Sequence, residues 1–71
     1  MPRQGYQAVI STGKAERRPE GWFEVMRKLG PVVQASTNDS ARYLIARNLT
    51  DEEYDDWAMA GKPIEKTVSP A

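Results

Sequence analysis

Neither cysteine nor histidine occurs anywhere in the chain, and at 71 residues that double absence decides what the fold can rest on. A polypeptide of this size buries only about 60% of the surface its unfolded form exposes, so it is marginally stable without help. The usual helpers are disulfides, a metal or association with another chain. Disulfides and thiolate metal sites require cysteine, and histidine is both the commonest general base and the commonest transition-metal ligand. No cofactor is therefore expected. A partner, or a second copy, is left as the expected stabiliser. The chain reads as one small domain, 1–71, with 1–5 and 69–71 expected to fray.

No apolar run approaches the roughly 20 residues of a membrane helix. The opening "MPRQGYQAVISTG" has one arginine before a short strand-like patch, which is not the pattern of a secretory leader. A soluble, cytoplasmic protein with no membrane role is the expectation. Hydrophobic residues at 39% and charged residues at 28% suit a folded chain. The formal net charge is zero but unevenly laid out: residues 1–36 carry six Lys/Arg against three Glu, and residues 37–71 carry four against seven acids. Such a chain can present one basic and one acidic surface.

Residues 6–12 alternate Tyr6, Ala8 and Ile10 with Gln7 and Ser11, the signature of a half-buried strand. Polar "GKAERRPEG" ends in a turn, because proline pre-sets φ and the following glycine accepts a positive one. Residues 22–29 read two ways. As a helix, Trp22, Val25, Met26 and Leu29 share a face before Gly30-Pro31; as a strand, Phe23, Val25 and Leu29 do. The strand is adopted and the short helix kept as the alternative. "VVQAST" (32–37) is a further strand, and Asn38 or Asp39 is expected to cap a helix whose stripe is Ala41, Leu44, Ile45 and Asn48. A second helix starts at Thr50 with Glu53 three residues on, a capping box, and stops at Gly61 and Pro63. Tyr54, Trp57 and Ala58 form its apolar face, and "PIEKTV" is short enough for an edge strand. The expected fold is α+β: a small antiparallel sheet in β-β-β-α-α order, covered by one or two C-terminal helices.

Over residues 6–49 this element order resembles the C-terminal part of double-stranded-RNA-binding domains. Those domains open their last helix with a lysine-rich phosphate-binding motif. The matching stretch here, "TNDSAR", has only Arg42 as a basic residue, so the function is not carried over.

"STGK" fails as a phosphate loop, since Ala8 stands where the first glycine belongs and Ala15 where a hydroxyl must follow Lys14. Asp51, Glu53 and Asp55 have the first spacings of a calcium loop, but Asp56 and Lys62 occupy its glycine and its bidentate glutamate. The pairs Asp51/Asp55 and Glu52/Asp56 sit one helical turn apart on an arc opposite the apolar face, where water screens them and no dry pocket raises a carboxyl for acid catalysis. Serines and threonines have no base to activate them. A non-enzymatic protein is expected.

What remains is surface. The acidic arc Asp51, Glu52, Asp55 and Asp56, with Trp57 beside it, is the first candidate, a docking face for a larger protein partner with a basic surface. Such a face suits an inhibitor or regulator of phage or mobile-element type. The alternative is nucleic-acid contact through Lys14, Arg17 and Arg18 together with Arg42, Tyr43 and Arg47, because arginine beside an aromatic serves both phosphate contact and base stacking. By size both Trp22 and Trp57 belong in the core, Trp57 being the better candidate for an exposed anchor. A homodimer is a third arrangement.

Overall fold

Pro19 and Glu20 form a two-residue turn between the two longest elements. The computed structural model describes residues 3–67, with β1 spanning Gln4–Arg18 and β2 spanning Gly21–Ala35. Arg18 pairs with Gly21 across the turn, and Gly21 takes a φ of +135° that a side chain would resist. The expected turn is thus in place. The polar stretch before it, however, is strand and not loop.

The hairpin carries two bulges of opposite sense. Gln7 on β1 faces the three residues Gly30, Pro31 and Val32, and further out Val25 on β2 faces Thr12, Gly13 and Lys14. Gly30 at φ +66° and Gly13 at φ +77° supply the left-handed backbone these insertions require. Side chains stitch each site: the Gln7 amide donates to the Gly30 carbonyl at 2.7 Å, and the Thr12 hydroxyl donates to the Val25 carbonyl at 2.8 Å. Each bulge adds an even number of residues, so the in–out alternation survives it. Gly30-Pro31, which reads as a stop in one dimension, is an irregularity inside one continuous strand. The separate strand expected over 32–37 is the end of β2.

Two short helices follow β2. Helix α1 (Asn38–Ala46) is capped by Thr37, whose hydroxyl accepts from the Ser40 amide at 3.1 Å, and not by Asn38 or Asp39. Helix α2 (Asp51–Met59) has the expected capping box. The Glu53 amide donates to the Thr50 hydroxyl at 3.1 Å and the Thr50 amide to the Glu53 carboxylate at 2.9 Å. Strand β3 (Ile64–Thr67) then pairs antiparallel with the first residues of β1, giving the sheet order β2-β1-β3.

The class is α+β, but the helices lie between the second and third strands, not after all of them. This corrects the expected order and removes the likeness to double-stranded-RNA-binding domains, which needs three successive strands. Gln4 and Gly5 are the first residues of β1. The expectations for 1, 2 and 69–71, and for cover over Val68, lie outside the described residues.

Both helices pack on the face bearing Tyr6, Ala8, Leu29, Val33 and Ala35, where Ala41, Ile45 and Trp57 complete the core. Trp57, Leu29 and Ile45 are its largest fully buried side chains, each stabilising by about 1.5–3 kcal/mol. The segment Lys62-Pro63 ties the elements together. The Pro63 carbonyl accepts from the Val9 amide of β1 at 3.2 Å and from the Trp57 indole of α2 at 2.6 Å. The Lys62 carbonyl accepts from the Arg42 guanidinium of α1 at 3.1 Å. Beyond this core the hairpin runs on as an arm, residues 11–28, in which no residue is buried.

Candidate functional site: two surfaces of opposite charge

The register of the arm sets its chemistry. Arg17 lies opposite Trp22, Glu16 opposite Phe23 and Ala15 opposite Glu24. Neighbouring side chains point to opposite faces of a ribbon, so each face acquires one arginine and one aromatic ring. The Arg17 guanidinium stands 5.9 Å from the centre of the Trp22 ring, and that of Arg18 stands 5.1 Å from the Phe23 ring. At exposed sites such pairs stabilise by about 0.5–1 kcal/mol each. Arg18 also meets the Glu16 carboxylate at 3.3 Å, on the same face. Trp22 stays 68% exposed and Phe23 40%, with Met26 at 37% further down the arm. This corrects the placing of Trp22 in the core. Its cross-strand partner is Arg17, and it lies outside the core cluster.

Opposite in sign is α2. Asp51, Glu52, Asp55 and Asp56 are exposed, and none forms an ion pair among the described residues. Asp51 and Glu52 stand in the first turn, where the helix dipole favours them by about 0.3–1 kcal/mol. Met59, 89% exposed, continues the row begun by Asp55 and Asp56 at helical spacing. Trp57 is not part of this surface. It is 0% exposed, packs edge-to-face on Tyr54 with ring centres 6.2 Å apart, and spends its indole N–H inside the fold. The expectation that Trp57 anchors a partner is overturned by that burial.

The basic residues of the alternative reading do not form one site. Lys14, Arg17 and Arg18 are on the arm. Tyr43 lines an open groove of about 600 Å³ with Arg3, Gln34 and Ser36, at the other end of β2. Tyr43 is 62% exposed and accepts from Arg47 at 3.0 Å, whose guanidinium also lies 5.7 Å from its ring. Arg42 is partly buried, bonded to the Lys62 carbonyl and 3.8 Å from Asp39, and its work is structural.

Among the described residues no three Asp or Glu are gathered to hold a metal, and no buried side-chain nitrogen or oxygen lacks a partner. No helix among them is long and apolar enough to cross a membrane. Sequence reasoning missed Trp22, Phe23 and Met26 as surface residues. The turn at Pro19-Glu20 held the signal, since counting outward from it places Arg17 and Glu16 across from both rings. Compared with protein-family models, with curated proteins and with solved structures, the chain matches none of them.

Proposed function

We propose that this chain is a non-enzymatic binding protein that contacts a macromolecular partner through its hairpin arm. The observation that carries this is the exposure of Trp22 and Phe23, each under an arginine, on a ribbon that contributes nothing to the core. Tryptophan and arginine dominate binding hot spots because one offers a rigid apolar face and the other planar charge-assisted bonds. The ring left uncovered on one side by each arginine is available for a contact of that kind. A photo-reactive residue placed at 22 or 23 is expected to give a defined cross-linked adduct, whereas the same residue at 43 gives none. Equal labelling at all three positions refutes the reading.

A second reading is favoured by the same Arg–aromatic pairs. A two-stranded ribbon fits the major groove of a duplex, and exposed rings stack on unpaired bases. It requires a mobility shift at low salt whose log affinity falls linearly with log salt, and which disappears when Arg17 and Arg18 are changed to glutamate.

A further inference from the structure

Two exposed surfaces of this chain carry opposite net charge. On the arm, Arg18 is paired with Glu16 and Lys28 with Glu65; Lys14, Arg17 and Arg27 meet no carboxylate and Glu20 and Glu24 no cation among the described residues, and five Lys/Arg against three Glu leave the arm a net +2. On α2, Asp51, Glu52, Asp55 and Asp56 meet no cation, and the helix itself has neither Lys nor Arg. Across the whole chain the formal charge is nonetheless zero. The arm, with its net positive charge, and α2, with five acids and no cation, are complementary in sign.

Their apolar neighbours match as well. Trp22 and Met26 share the face of the arm that bears Arg17, and Met59 accompanies Asp55 and Asp56. Aromatic rings and methionine sulfur pack favourably at such contacts. The arm is long enough: from Ser11 to Arg18 a strand reaches about 25 Å, which spans the roughly 13 Å of a nine-residue helix. A nucleic acid would neutralise the arm and leave the acids of α2 uncovered.

We infer that the arm of one copy docks on the acidic face of α2 in a second copy, the two chains exchanging this contact about a two-fold axis. The inference rests on the reading of the arm as the docking element and names its occupant. An isologous pair makes each complementary contact twice, and it supplies the association that a chain this small, without disulfide or metal, uses for stability.

The test is the solution mass of the full chain by light scattering, across protein concentration and salt. The expected result is a mass rising to twice that of the monomer at low salt and falling back as salt screens the contact. Lys14→Glu with Arg17→Glu, or Asp55→Arg with Asp56→Arg, each weakens the dimer by about 100-fold or more, because like charges then face one another. An equimolar mixture of these two variants restores a one-to-one pair, since both contacts are again complementary. All four positions are exposed, and circular dichroism checks that both variants fold. A monomer mass at every concentration, variants that dimerise like the parent, or a mixture that stays monomeric each overturns the inference. If the chain stays monomeric while cross-linking at 22 or 23 still captures another molecule, the arm reading stands and self-association alone falls.

Discussion

Trp22 and Trp57 have the same side chain and opposite fates, and the difference makes a measurable prediction. Trp57 is fully buried and donates to the Pro63 carbonyl. Its replacement by alanine is expected to cost about 3–5 kcal/mol. At about 0.05–0.15 kcal/mol per residue, a chain of 71 residues has about 4–11 kcal/mol in all, so the loss takes a large share of it. Urea titration should therefore find the midpoint of Trp57→Ala sharply lowered, and Trp22→Ala within about 1 kcal/mol of the parent, the worth of its pair with Arg17. The reverse ranking refutes the placement. Hydrophobicity and size, being properties of the residue alone, put both rings in the core; only register separates them. Gly30 and Gly13 form a second contrast. Both have positive φ, so alanine at either costs about 1–2 kcal/mol in backbone strain. At Gly30 the new Cβ would also come 2.8 Å from the Leu49 side chain, whereas at Gly13 it meets nothing within 4 Å. Thermal melts should rank Gly30→Ala below Gly13→Ala.

At the scale of elements, the helix starts and the arm behave differently. Thr50 and Glu53 satisfy one another's amides, and Thr50→Ala is expected to cost about 1 kcal/mol of unfolding free energy. A double-mutant cycle with Glu53→Ala should show that the two losses are not additive. This cap was legible because the residues and their spacing are both local. The cap of α1 was not, since Thr37, Asn38, Asp39 and Ser40 are all competent cap formers. The choice falls to Thr37 because it is the one still extended as the chain leaves β2, at φ −135° and ψ 161°. The arm was hidden for a related reason. A strand that buries neither face has no alternation for its residues to record, and "GKAERR" reads as loop. Its independence from the core is testable. Ser11 and Met26 are cross-strand partners, so replacing residues 12–25 by Asn-Gly should close a shorter hairpin on the same core. The shortened chain should unfold cooperatively, with a free energy within about 1 kcal/mol of the parent, because no buried side chain is lost. A molten, non-cooperative product is the outcome that contradicts this.

At the scale of the whole molecule, β1 is the organising element, flanked by its sequence neighbour β2 and by β3 from the far end of the chain. "PIEKTV" marks itself as a strand, but pairing is a relation between distant segments, and nothing local names Gly5–Ala8 as its partner. The Lys62-Pro63 segment settles it by binding α1, α2 and β1 at once. That closure leaves the chain with one short-helix layer over one sheet and with the basic arm and the acidic face of α2 both exposed. If a second copy covers them, folding and association are linked, and the midpoint of thermal unfolding must depend on protein concentration. Each tenfold rise in concentration contributes about 1.4 kcal/mol per dimer, or roughly 0.7 kcal/mol per chain. For a domain of this size that is a shift of about 3–6 °C. The chain lacking residues 12–25 has lost the arm but keeps the core, so its midpoint should stay fixed over the same range. Calorimetry of both proteins at three concentrations makes the comparison, and a parent midpoint as fixed as that of the shortened chain removes the link between arm and association.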